Sequence, residues 1–272
     1  YDTYTNNGAI IFNANHKATL HLGGVTSDPY CATMQNMTNN GAISLNGVFD
    51  GPIKIGGCFG YHDKELVTFL NCTNNAPISL VGEYNSTTSL YVGGVCCYVQ
   101  GKGPHKVVTN TEKGDILIDL TKCVPNIAIA GITTKFQDTS EDVVNHGDIT
   151  IKGNYDNTAY IAGFCYATNN YTRQRHGNTG NITIDAKLQG ALVVGSMYSY
   201  GKYGKTFSDC YNTGNITVTE NSEVGASVYI GGMIGYFDSS SATYDYSNCY
   251  NSGNISFKGK SGHSTAASSD TA

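Results

Sequence analysis

The 272-residue chain has no tryptophan, 5 prolines and few charges. Charged residues make up 14% of it, where an ordinary soluble domain carries about 25%. With 16 Lys+Arg against 21 Asp+Glu the formal net charge is −5, which excludes a strong electrostatic grip on nucleic acid. Long hydrophobic runs are missing as well. The longest nearly apolar stretch, from Ser89 to Val99, is about 11 residues and carries two glycines, short of the roughly 20 that a membrane-spanning helix needs. The 9 cysteines show no CxxC…CxxC or HxxxH spacing, so no structural metal and no cofactor is expected. The chain opens at Tyr1 without a charged or apolar leader, so any targeting segment is expected to have been removed or never included. In contrast, glycine (33), tyrosine (20) and a hydrophobic fraction of 40% are plentiful, which points to turn-rich β structure with enough apolar surface for a core.

One phrase recurs through the chain: NNGAIIF at 6–12, NNGAISL at 39–45, NNAPISL at 74–80, EKGDILI at 112–118, NHGDITI at 145–151, NTGNITI at 178–184, NTGNITV at 212–218 and NSGNISF at 251–257. The third residues of these copies, 8, 41, 76, 114, 147, 180, 214 and 253, are spaced by about 35. Midway through each period stands an aliphatic residue, a small residue and a glycine, ending at Gly24, Gly57, Gly94, Gly131, Gly163, Gly195 and Gly232. Within the first phrase, alternation at period two puts Ile10, Ile43, Ile78, Ile116, Ile149, Ile182, Ile216 and Ile255 on the same side as Phe12, Leu45, Leu80, Ile118, Ile151, Ile184, Val218 and Phe257. Ser44, Ser79, Thr150, Thr183, Thr217 and Ser256 take the other side, with Ile11 and Leu117 as exceptions, so each phrase reads as a half-buried strand.

Such a strand buries nothing alone, but stacked coils place each aliphatic row against itself. The expected fold is therefore all-β: a parallel β-solenoid, a right-handed β-helix, of seven coils and a partial eighth over 1–258, with 259–272 as a Ser/Thr/Ala-rich tail or linker. At about 4.8 Å per coil it would stand roughly 34 Å tall. Each coil is expected to have three faces: the GxIxI strand, the VYIGG strand with its continuation into MIGYF, and a short strand around SNCYN. The turn before the first strand carries Asn6, Asn39, Asn74, Asn145, Asn178, Asn212 and Asn251, with Glu112 as the one substitution, and stacked amides there can hydrogen-bond along the axis.

GGMIGY at 231–236 followed by SNCYNSGNI at 247–255, and GGCFGY at 56–61 followed by NCTNNAPI at 71–78, resemble the GLUG-motif repeats of bacterial surface proteins. The resemblance covers residues 5 to 258. Copies four and six depart from it, with AGITTKF and VGSMYSY where GGLVGY would stand, so distortion or decoration is expected in those coils. The resemblance implies an extracellular or cell-surface β-solenoid of the kind found in adhesins and as an accessory region of larger surface proteins, including immunoglobulin-A peptidases. The motif carries no catalytic residue.

Candidate chemistry is sparse. Cys210 and Cys249 fall in adjacent coils close enough for a disulfide, with a buried free-thiol stack as the alternative. Asp115 and Asp148 share one outward position in adjacent coils and form a weak Ca²⁺ candidate, or the carboxylate pair of a glycosidase. Tyr198, Tyr200 and Tyr203, with Tyr244 and Tyr246, are candidate sugar-binding rings or caps on loops. The seven histidines form no row and read as surface or loop residues. Sequons at Asn36, Asn71, Asn85, Asn170, Asn181, Asn215 and Asn254 permit glycosylation. The outward hydroxyl row could meet ice or a crystal face, but Asp119, Lys152, Asp185 and Lys258 break its pattern. The expected function is non-enzymatic and extracellular: a surface stalk, adhesin segment or filament subunit. Its expected partners are further copies head to tail or further repeats of a longer chain, and glycans. The alternative is a carbohydrate-binding or carbohydrate-active β-helix protein acting on surface glycans.

Overall fold

The computed structural model describes residues 2–29, 33–62, 68–99, 104–136, 139–168, 172–201, 206–238 and 245–262. It is an all-β parallel solenoid of about seven turns, in which strands of successive coils stack into four sheets. The second coil is representative: Thr33–Asn39 lies in sheet 1, Ile43–Phe49 in sheet 2, Ile53–Gly56 in sheet 3 and Phe59–His62 in sheet 4. The aliphatic phrase behaves as its pattern predicts. Ile43 stacks on Ile78, Ile78 on Ile116, Ile116 on Ile149 and Ile149 on Ile182, all in parallel register.

Four sheets replace the expected three faces because the second strand does not run straight into its continuation. The chain turns sharply at the small pair Gly56-Gly57, where a Cβ on Gly56 would stand 2.0 Å from the carbonyl oxygen of Phe59. Glycine permits this close approach, and where the same register carries a side chain it is only the methyl group of Ala130 or Ala162. Copies four and six keep this corner and its pairing undistorted: Thr133–Phe136 and Tyr198–Gly201 stack in register with their neighbours in sheet 4.

The cross-section holds two cores. Sheets 2 and 3 enclose the first, filled by Ile, Leu and Val with Phe49, Tyr84 and Tyr155 at its edge. Sheets 4 and 1 enclose the second, filled by Met, Phe, Tyr, Val and cysteine. Between them runs a waist. Asn6, Asn39, Asn74, Asn110, Asn145, Asn178, Asn212 and Asn251 form a ladder in which each Nδ2 donates to the Oδ1 of the next coil, at 2.6 to 2.9 Å, and to a carbonyl in its own turn. Opposite this ladder lies the second residue of each mid-coil pair. A Cβ on Gly57 would sit 2.4 Å from Cγ of Asn74, and one on Gly131 2.3 Å from Cγ of Asn145. The amide ladder therefore favours glycine in the row opposite it.

Two registers differ from the expected ones. The ladder is unbroken in the fourth copy because Asn110, not Glu112, stands on Asn74 and Asn145; its turn is two residues longer and carries Glu112 outside the ladder. In the sixth coil Gly195 pairs with Ala162 and Gly231, so it is the first residue of the corner. The residue in the glycine row there is Ser196, fully buried, with an Oγ that has no hydrogen-bond partner among the described residues.

Sheet 1 also carries one left-handed residue per coil: Thr3, Asn36, Asn71, Val107, Asp142, Arg175, Asp209 and Asn248 have φ between 53° and 62°. Asn and Asp tolerate this region, and five of the eight are of that kind. The left-handed residue shifts the phase of the strand without disturbing its pairing, so that Met34 and Met37, or Phe69 and Cys72, three apart, both face the core and sheet 1 shows no clean period-two pattern in the sequence.

Candidate functional site

Because the chain folds back at each glycine corner, the outer faces of sheets 3 and 4 look toward one another. Outward side chains of sheet 3 alternate with core residues: Tyr160 stands between Ala159 and Ile161, which point into the first core. In sheet 4, Tyr200 follows Tyr198, which points into the second core. The outward rings from both sheets meet in this angle. Tyr160 lies 5.0 Å from Tyr166 and 6.0 Å from Tyr200 between ring centroids, Tyr200 stacks on Tyr236 at 5.9 Å, and Tyr236 lies 4.8 Å from Tyr229. Toward the other end the groove continues through His21, Tyr61 and Tyr98, with the Lys54 ammonium 3.4 Å from the centroid of Tyr61 and the Lys135 ammonium 2.9 Å from the Tyr98 hydroxyl. Cys97 forms part of the floor, donating from Sγ to the Tyr91 carbonyl at 3.2 Å, whereas Cys96 points into the second core.

The electrostatics of this groove follow from its partial burial. Loss of water raises the Tyr91, Tyr160 and Tyr166 phenols above their ordinary range. Tyr200 is raised by burial first and then by the Asp238 carboxylate, which accepts its hydroxyl proton in a short hydrogen bond. These phenols are neutral donors across the physiological range, and Asp238 presents acceptor oxygens beside them.

The tyrosines singled out in the sequence do not form one platform. Tyr198 is 1% exposed, packed between Phe164 and Phe207 with its hydroxyl 3.1 Å from Nδ1 of His176, because its register position faces the second core. Tyr200 belongs to the groove. Tyr246 stacks on Phe207 at the open end of the second core, and Tyr203 and Tyr244 lie outside the described residues. The groove residues Tyr160, Tyr166, Tyr229 and Tyr236 were missed, although one signal was present: a tyrosine recurs before the mid-coil aliphatic residue and again in the GY or FCY step after it.

Asp115 and Asp148 are engaged in a second, outward ladder. Oδ1 of Asp115 accepts the backbone N–H of Asp148 at 2.8 Å, Oδ1 of Asp148 accepts that of Asn181 at 2.7 Å, and Asn181, Asn215 and Asn254 continue the pattern. No cluster of three or more metal-ligating side chains occurs among the described residues. The Nδ2 atoms of four sequon asparagines also donate along the axis, Asn71 to Asn36, Asn181 to Asp148 and Asn215 to Asn181 at 3.0 to 3.1 Å, and Asn85 to Asp50 at 3.5 Å. Asn85 follows the strand Ile78–Tyr84, and Asn170 lies outside the described residues.

Three histidines depart from the surface placement expected of them. His62, His105 and His176 are fully buried in the second core, drawn in because their positions in sheets 4 and 1 face inward. His105 is sandwiched between Phe69 and Phe136 at 5.0 and 4.6 Å; burial, and then the charge of Arg173, lower its pKa to about 3. Cysteines of the same core, Cys58, Cys72, Cys96, Cys165 and Cys210, are free thiols packed as small apolar groups. Burial pushes Cys72 and Cys210 up to about 12, and Cys210 remains unbonded to Cys249 beside it.

No family model, no curated protein and no solved structure matches the chain.

Proposed function

We propose that the chain is a non-enzymatic extracellular repeat protein, a structural and adhesive rod segment of a surface stalk, adhesin or filament. The observation that carries this reading is the uninterrupted continuation of the axial rows to both end faces. At one end Ile10, Phe12, Leu20 and Leu22 are half-buried against the first core. At the other, Ile255 and Phe257 are 46% and 40% exposed, in register with the rows below them. The two faces are complementary in kind, so a further coil can add to either one, from another copy or from more of the same chain, with the backbone hydrogen bonds and aliphatic contacts that join the coils within the rod. The likeness of the repeats to GLUG-motif segments supports the surface location.

Replacing Ile255 and Phe257 together with Lys tests the head-to-tail branch. Charges at that face should leave a folded monomer where the parent chain sediments as longer species, because only a terminal strand is touched. A parent chain that stays monomeric at high concentration removes self-assembly, and electron microscopy of rods in a longer parent protein then decides for the stalk.

A further inference from the structure

From the groove between the outer faces of sheets 3 and 4 we infer that Tyr160, Tyr166, Tyr200, Tyr229 and Tyr236, with Asp238, form a binding site for a neutral glycan chain. The inference names a ligand for the adhesive part of the reading above and rests on that part.

Three features of the site converge on this class of ligand. The first is ring density: five tyrosines from three successive coils are linked by ring contacts of 4.8 to 6.4 Å on an outer surface, outside both cores. Tyr229 is 38% exposed and the other four are partly so. Aromatic faces attract the C–H groups on the flat side of a pyranose ring through the ring quadrupole, and a phenol adds a polar tip that a phenylalanine lacks. The second feature is repetition. Tyr200 and Tyr236 occupy the same register in adjacent coils, as do Val193 and Tyr229 in the sheet opposite. A ligand laid along the axis therefore meets the stacked rings of Tyr200 and Tyr236 one coil step, about 4.8 Å, apart, with Tyr160 and Tyr229 in alternate coils of the sheet opposite, an arrangement suited to an extended polysaccharide.

The third feature is the carboxylate. Asp238 holds the Tyr200 hydroxyl and retains acceptor capacity that can receive sugar hydroxyls. An aromatic groove can also hold a proline-rich peptide, but such a peptide offers carbonyl acceptors and almost no donors, so a carboxylate gives it nothing. The same negative charge disfavours uronic-acid and sulfated chains at this end of the groove, whereas the Lys54 and Lys135 ammonium groups lie toward the other end, against Tyr61 and Tyr98. A neutral, hydroxyl-rich chain satisfies both the rings and Asp238.

With no tryptophan, emission arises from the 20 tyrosines, and the groove's share is the ligand-dependent change that the Tyr200→Ser, Tyr236→Ser chain lacks. The intact chain would be screened on an array of neutral oligosaccharides, uronic-acid oligosaccharides and proline-rich peptides, and the retained probes titrated by tyrosine emission. The expected result is retention of a neutral oligosaccharide, lowered at least tenfold by Tyr200→Ser with Tyr236→Ser and several-fold by Asp238→Asn, at unchanged denaturation midpoints. Should the double variant fail to fold, Asp238→Asn and Tyr229→Ser, whose side chains are more exposed, carry the test. Retention of no neutral oligosaccharide by the parent chain overturns the inference. So does retention unaffected by these substitutions, or retention of uronic acids or proline-rich peptides instead. None of these outcomes touches the rod reading, which sedimentation and microscopy decide independently.

Discussion

The two cores of this solenoid obey different rules. In the core between sheets 2 and 3 one row is isoleucine in every coil, with Ile149 on Ile116 and under Ile182, and the row beside it is aliphatic in all but the end coils, with Ile151 on Ile118 and under Ile184; only the edge row, from Phe49 and Tyr84 to Leu188 and Val224, varies. In the core between sheets 4 and 1 a single register row reads Met34, Phe69, His105, Ser140, Arg173, Phe207 and Tyr246. The connections explain the difference. Sheets 1 and 2 are joined by tight turns locked by the asparagine ladder, so their strands enter each coil at a fixed phase. Sheet 4 returns to sheet 1 through segments of varying length, from residues 137–139 to 238–244. Where the entry is constant, one branched aliphatic that stacks on itself suits every level. Where it varies, each level is packed separately, and rings, thiols and histidines fill what is left. A repeat protein can therefore be strict in one half of its section and individual in the other.

The sharpest break in this contrast comes from charge in the strict core. Ile149→Asp places a carboxylate in the aliphatic row with neighbours from both adjacent coils, and should cost more than about 4 kcal/mol in urea denaturation. Thr150→Asp, one residue away and half-exposed, should cost under about 1 kcal/mol. Equal costs would mean that the two faces of sheet 2 are wrongly assigned.

A smaller effect distinguishes the individual core by pH. His105 is neutral in the folded chain down to about pH 3, while an unfolded histidine takes up a proton near pH 6.5. Below pH 6.5 the unfolded state therefore binds more protons, and stability falls as pH falls toward 3, by about 2 kcal/mol between pH 7 and pH 5 for this residue. His176, whose pKa is also driven well below its ordinary value by burial, adds to the same slope. His105→Phe, which extends the ring stack between Phe69 and Phe136, should flatten the acid limb by about half while leaving neutral-pH stability equal or higher. An acid limb unchanged by the substitution would place the acid-sensitive group elsewhere.

The smallest effect concerns the left-handed row of sheet 1. Val107 holds φ at 53° with a β-branched side chain, 46% exposed, while the equivalent residues on either side are Asn71 and Asp142. Val107→Asn should raise stability by about 1 kcal/mol, through relief of that strain and side-chain pairing with Asn71. Thermal unfolding of the unglycosylated variant measures it; a lower midpoint would show that Val107 contributes packing that outweighs the strain.

The strict half was legible residue by residue. Period-two alternation in eight copies placed Ile43, Leu45, Ile149 and Ile151 inside and Ser44 and Thr150 outside, because a strand that buries one face against identical neighbours has one register consistent with its pattern. The recurring Asn-x-Gly turn also announced the ladder, since stacked amides can satisfy one another only at identical positions.

The rest depended on contacts between elements that no local pattern records. That Asn110 and not Glu112 completes the ladder follows from a two-residue longer turn, visible only once neighbouring coils are stacked. That Tyr198 is core and Tyr200 is groove, although they stand two apart in one strand, follows from a break in alternation inside the sheet 4 strands, where Cys96 and Val99, three apart, both face the second core and Tyr98 does not. The sequence by itself determined the coil, its period and its aliphatic row, because these repeat and each copy constrains the others. Only the tertiary structure decided that the coil folds back at its glycine pair, dividing the interior into two cores and bringing tyrosines of two sheets into one groove. In the second coil that fold-back sets Gly56 close against Phe59 and Gly57 against Asn74, and small residues such as Ala130 and Ser196 serve elsewhere, a steric fit between segments rather than a property of either one.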